Sequence, residues 1–181
     1  MILPIYEGTS QIQALMAMKD TLGAVMKDPQ SFVSQLAQAR WRALSARDPL
    51  ERRLAKLQVI SYDATQFLIR KTATDKVRSL SDKPMTQWSE SFLKDWNPKR
   101  DFAWAMLHAE RLTKILTDVQ IAEILLEQAN KDASRREVLE RWLERAEPRD
   151  RFLLDQITTT GKRLLDRLAG GRSSDERSAA E

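Results

Sequence analysis

The sequence contains no cysteine and a single histidine, His108. Without cysteine there is no disulfide framework, no thiolate nucleophile and no thiolate metal site. Without a second histidine, no site in this chain can use two imidazoles. Glycine and proline are scarce, at five and six of 181 residues, and aromatics make up 7%. Runs of alternating apolar and polar residues bounded by hairpin turns do not occur, so nothing reads as a sheet. No stretch reaches the roughly 18 apolar residues that a membrane span needs. The first residues lack the basic stretch and apolar run of a secretory signal. Charge of one sign is also missing: 30 basic residues stand against 26 acidic ones, interspersed, for a net charge of +4. Such a mixture reads as a solvated surface more than as a nucleic-acid footprint.

What is present is helical. Leu, Ala, Arg, Glu, Lys and Asp dominate, and the length suffices for one sizeable core. The first helix is predicted to begin at Thr9 or Ser10, with Gly8 as the turn and Ser10–Gln13 at capping-box spacing. Its apolar face reads as Ile12, Leu15, Met16 and Leu22. Asp28-Pro29 ends this helix and starts the next, which runs to about Ser45. Asp48-Pro49-Leu50-Glu51 is a strong start signal, with a capping Asp and Pro at the first helical position. The helix that follows is expected to reach Val77 or Leu80. Ser81–Pro84 breaks the pattern, and a short helix carrying Trp88, Phe92 and Leu93 comes next. Asn97-Pro98 reads as the cap of one long helix through Phe102, Met106, Leu112, Leu116 and Val119. Ser134 and Glu137 form a second capping box, and Pro148 is expected to restart the last helix, with Phe152, Ile157 and Leu164 inward. Gly170-Gly171 closes the ordered part, and the tail after it is read as disordered. The expected fold is all-α, six or seven helices in an antiparallel bundle with short connections.

One stretch carries chemistry. Leu3 to Gln13 reads LPIYEGTSQIQ: a carboxylate after an apolar lead-in, then Gly and small hydroxyl residues that open a helix. A carboxylate held in a dry, apolar setting can be raised toward neutrality and serve as a base. A glycine lets the backbone turn sharply and lets another molecule approach closely. The first turn of a helix offers free N–H groups to an anion. As a whole the run resembles the end of the catalytic core of acyl-CoA dehydrogenases, flavoenzymes that oxidise the Cα–Cβ bond of an acyl thioester.

The resemblance implies a fold of the acyl-CoA dehydrogenase C-terminal type and a set of roles. Glu7 is the catalytic base, Tyr6 and Gly8 border the substrate, and Thr9, Ser10 and Gln11 contact FAD. No metal is implied. It implies an acyl-CoA substrate, a 2-enoyl-CoA product, a place in fatty acid β-oxidation and an electron-transfer flavoprotein as partner. It also implies homo-oligomerisation and a bacterial cytoplasm or mitochondrial matrix as the compartment. The match covers about the first twenty residues. Residues 1–27 are therefore read as the end of the dehydrogenase core, 28–169 as a helical extension and 170–181 as a tail. The flavin-ring and CoA contacts of the family lie in domains expected upstream of Met1 or on a separate subunit, so the chain alone is expected to be inactive. Two other readings stand beside this one: a non-catalytic helical interaction module and a nucleic-acid-binding helical domain. The second is implied by the resemblance, since an alkylation-response relative in the family binds DNA through its C-terminal region; the basic cluster of Arg40, Arg42, Arg47, Arg52 and Arg53 suits CoA phosphates or an acidic partner. His108 and the five tryptophans read mainly as packing residues.

Overall fold

A computed structural model of the chain describes residues 10–80 and 101–168. Every element in these segments is helical: α1 (Ser10–Lys27), α2 (Pro29–Ser45), α3 (Pro49–Leu80), α4 (Ala103–Leu107), α5 (Ala109–Lys131), a 3-10 turn (Ala133–Arg135) and α6 (Arg136–Thr159). A short helical segment spans 162–168. The all-α bundle expected from composition is the architecture observed. The short helix around Trp88, the Asn97-Pro98 cap and the tail lie outside the described residues.

Local chemistry sets most boundaries. Asp28 caps α2, its carboxylate accepting from the Ser31 N–H at 3.0 Å, with Pro29 in the first turn. Asp48 accepts from the Leu50 N–H at 2.9 Å at the start of α3. The same carboxylate takes both Nη atoms of Arg136, at 2.9 and 2.8 Å, tying the start of α3 to the start of α6. The hydrogen bond from Arg136 holds the Asp48 pKa below the usual carboxylate range.

Four sequence expectations are corrected. The predicted long helix is broken at His108, whose φ of −107° and ψ of 9° lie in the bridge region and separate α4 from α5. The Ser134 capping box does not form. Asp132 caps the 3-10 turn through the Ser134 N–H at 2.9 Å, and α6 begins only at Arg136. Pro148 does not restart a helix but lies inside α6. It sits on the exposed side, where water can take the carbonyl it leaves without an N–H partner. Finally, α1 buries Ala14, Met18 and Leu22, whereas Ile12 and Met16 remain 56% and 65% exposed. The buried stripe is thus rotated from the one expected.

The helices run up and down. Bonds between α2 and α3 pair Arg40 with Asp63 and Arg42 with Gln58, so rising numbers meet falling ones and the pair is antiparallel. Helices α5 and α6 are antiparallel on the same ground: Asp118 meets Arg149, Arg111 meets Gln156 and His108 meets Thr160. Helices α3 and α6 run parallel, since Asp48 meets Arg136 and Arg53 meets Glu147. Helix α1 lies on α5, with Thr113 Oγ1 donating to the Ala14 carbonyl at 3.4 Å.

The core has two apolar parts. One gathers Leu50, Leu54 and Leu57 of α3, Val119, Ala122 and Ala129 of α5, and Leu139, Leu143 and Ala146 of α6. The other gathers the inner face of α1 with Ala64 and Leu68 of α3, Trp104 of α4, Leu112 and Ile115 of α5, and Ile157 of α6. Leu112 is completely buried and Phe152 is 60% exposed. Leu112→Ala is therefore expected to cost roughly 2–5 kcal/mol in urea unfolding, and Phe152→Ala less than about 0.5 kcal/mol. Comparable losses would contradict this core. Pro148→Ala restores a donor to an exposed helix interior and should raise stability by roughly 1–3 kcal/mol. A loss of stability on that change would mean that the helix does not run through residue 148.

Candidate functional site

Of the residues singled out by sequence, Tyr6, Glu7, Gly8 and Thr9 lie outside the described residues. Ser10 and Gln11 occupy the first turn of α1 and are exposed. The helix docks on α5 from Ala14 onward, and Ser10 and Gln11 precede that contact. Ser10 and Gln11 can offer a hydroxyl and an amide to a phosphate or an adenosine half, as a helix start can in general. The described residues around them form no apolar enclosure for a flavin ring. An open concavity among the described residues lies elsewhere, lined by Thr159 to Arg163 with Asp166 and Arg167. No residue of α1 contributes to it. Among the described residues no group of three His, Asp or Glu side chains could hold a metal ion.

His108 is buried and its ring is committed. Arg111 Nη1, a permanent donor, lies 3.4 Å from Nδ1, which makes Nδ1 the acceptor. Nε2 then carries the proton and donates to the Thr160 carbonyl at 3.0 Å. Burial lowers the His108 pKa, opposed by the Thr160 bond. Gly161 closes over the ring with φ of +111°; a Cβ there would lie 3.2 Å from Nε2 and 2.5 Å from Leu107 Cδ2. His108 therefore acts as packing at the α4–α5 break, in line with its sequence reading.

The tryptophans divide. Trp104 is buried and donates to the Ile157 carbonyl at 3.0 Å. Trp142 is half-buried and donates to the Asp118 carbonyl at 3.1 Å. Trp41 is 69% exposed on α2, beside Leu44 at 81%. The arginine cluster is largely spent within the fold. Arg40 pairs with Asp63 at 3.0 Å, Arg42 donates to Gln58, Arg52 to the Ala46 carbonyl, and Arg53 pairs with Glu147 at 2.7 Å. That use weakens its case as an anion-binding surface.

The strongest concentration of buried charge was not singled out from the sequence. Asp118 of α5 and Asp150 of α6 are both completely buried. Asp118 accepts from Lys114 Nζ at 3.0 Å through one oxygen and from Arg149 Nε at 2.8 Å through the other. Arg149 also lies over the Trp142 ring, 5.9 Å from its centroid. Asp150 neighbours Asp118 across the seam: the Arg149 Nε that meets Asp118 at 2.8 Å lies near Asp150 as well. Arg149 Nε lies 4.0 Å from Asp150 Oδ1, too far for a hydrogen bond. A signal was available: Asp118 follows Ile115 by three and precedes Ala122 by four, and Asp150 follows Ala146 by four. Each acid sits on its helix's buried stripe.

Comparison with protein-family models, curated proteins and solved structures finds no match for this chain. The functional reading therefore rests on the residues themselves.

Arg149→Met leaves a buried Asp118 with Lys114 alone. Because Arg149 is about a third exposed, the expected loss is discounted to roughly 1–3 kcal/mol in urea unfolding. Arg141→Met removes the exposed Glu137 pair and should change stability by no more than about 0.5 kcal/mol. Equal effects would remove the special standing of the buried cluster.

Proposed function

We propose that this chain forms the C-terminal part of an FAD-dependent acyl-CoA dehydrogenase. The reading rests on one observation, the run Leu3–Gln13 leading straight into α1. In it, Glu7 takes the α-proton of an acyl thioester. Ile5 and Tyr6 provide apolar and aromatic surroundings that raise the carboxylate's affinity for that proton. Gly8 admits the substrate close to the backbone, and Thr9, Ser10 and Gln11 hold the cofactor at the helix start. The flavin, when bound, accepts the β-hydride. The exposed first turn of α1 supports this reading in one respect: Ser10 and Gln11 are accessible to a group supplied from outside the bundle. The fold's remaining helices then serve as a buttress for α1. An electron-transfer flavoprotein as acceptor and a homo-oligomeric assembly belong to the same proposal.

A second reading has its own support. Helix α2 exposes Val33, Trp41 and Leu44 and carries no acidic residue from Pro29 to Arg47. An unpaired apolar flank of this kind suits a helical interaction module without catalysis. The two readings separate on flavin: the module should form a stable complex or oligomer without it.

The deciding experiment joins this chain to the polypeptide encoded immediately upstream of Met1 and compares Glu7 with Glu7→Gln. The joined protein should bind FAD and oxidise an acyl-CoA. Glu7→Gln should keep the flavin spectrum and lose dehydrogenation by roughly 10²–10⁴-fold. Unchanged turnover in Glu7→Gln, or an upstream polypeptide that binds no flavin, would refute the proposal.

A further inference from the structure

We propose that Asp118 and Asp150 share one proton inside the bundle, and that this proton latches α5 to α6 until alkaline pH removes it. The geometry leads there by elimination. Both oxygens of Asp118 already accept from cations, Lys114 on one side and Arg149 on the other. Both oxygens of Asp150 are buried and receive no N–H or O–H donor. A charged carboxylate left in that position would be severely penalised by its loss of water. A neutral one is penalised far less, and its O–H has an acceptor in the neighbouring Asp118, whose carboxylate meets the same Arg149 Nε at 2.8 Å that lies 4.0 Å from Asp150 Oδ1.

Among the described residues, the charged groups around the pair bring no hydrogen-bond donor to Asp150, and Arg149 Nε stops 4.0 Å short of its Oδ1. On α5 these are Lys114 and Asp118, and on α6 Arg149. Glu147, three residues before Asp150 on α6, is engaged by Arg53 of α3 at 2.7 Å. Elsewhere on α3, Gln58 donates to Glu123 at 2.6 Å, Lys56 is exposed, and Asp63 pairs with Arg40. Arg135 of the 3-10 turn is exposed. Between its two apolar stretches α3 contributes uncharged Gln58 and Ser61 to the interior.

Burial, then the Asp118 hydrogen bond and charge, push the Asp150 pKa up to about 8, against the pull of Arg149 and Lys114. In the unfolded chain the same carboxyl releases its proton near 3.8. The folded form thus holds one proton more than the unfolded form between these values. The stabilisation it carries is complete below about pH 4 and is lost as pH rises through about 8. At the steepest, the unfolding constant rises about tenfold per pH unit.

The test follows urea unfolding of the full 181-residue chain from acid to alkaline pH, beside Asp150→Asn. The carboxamide can donate to Asp118 but has no proton to lose. The wild-type unfolding constant should climb relative to that of Asp150→Asn by up to about tenfold per pH unit between the two titration points. Matching pH profiles would overturn the proposal. Infrared titration of the wild type alone is a second measurement, should Asp150→Asn not fold. A neutral carboxylic-acid carbonyl band that persists well above pH 7 supports the shared proton. A band lost entirely near the ordinary carboxylate range refutes it.

Discussion

The buried polar layer between the two apolar parts of the core constrains everything around it. Leu57 and Ala64 of α3 belong to different parts, and Gln58 and Ser61 lie between them in sequence. Asp118 likewise separates Ile115 from Val119 on α5, and Asp150 separates Ala146 from Ile157 on α6. A greasy core tolerates sliding of one helix on another, because one methylene contact replaces another at little cost. Carboxylates fixed by Lys114, Arg149 and each other do not slide. A shift of one helical turn would part buried Asp118 from Arg149 and leave it only Lys114 of its own helix as a cation. The layer thus specifies the register of α5 against α6, at a cost in desolvation that an all-apolar seam would not carry.

The Asp48–Arg136 and Arg53–Glu147 pairs add orientation at the edge of the same seam. They are half-exposed, so their contribution lies in direction more than in energy. Together with the buried layer they hold α6 alongside α3 in parallel, a relation that chain order alone does not dictate. Helix α1 then finds its place on α5 through Ala14, Met18 and Leu22.

Much of this fold was legible in the sequence. Asp28-Pro29 and Asp48-Pro49 marked their helix starts because a capping carboxylate and a proline act within a few residues of themselves. The failures were tertiary. His108 breaks a helix that periodicity would have continued, because its ring is drawn to Arg111 and Thr160, the latter some fifty residues away. Pro148 continues a helix that proline would have stopped, because its flank faces water. Ile12 and Met16 read as core by hydropathy, yet the smaller Ala14 sits inside, since close approach of α1 to α5 favours a small side chain there. The candidate catalytic segment was read from a run of residue types, and of its site residues only Ser10 and Gln11 fall among the described residues. The Asp118–Asp150 pair escaped notice because single acids on a buried stripe look like ordinary surface charges until two helices bring them together.

The unequal fates of the indoles have a practical consequence. Trp104 sees a dry interior with Phe67 at 6.3 Å and the Lys71 ammonium 5.2 Å from its ring. Trp142 sits at the boundary under a guanidinium, and Trp41 stands in water on α2. Each therefore emits from a different medium. Light from Trp41 reports on whatever touches the outer flank of α2, while light from Trp142 reports on the seam beneath Arg149. Among the described residues, Trp41 thus serves as an optical probe of the surface and Trp142 as one of the interior joint.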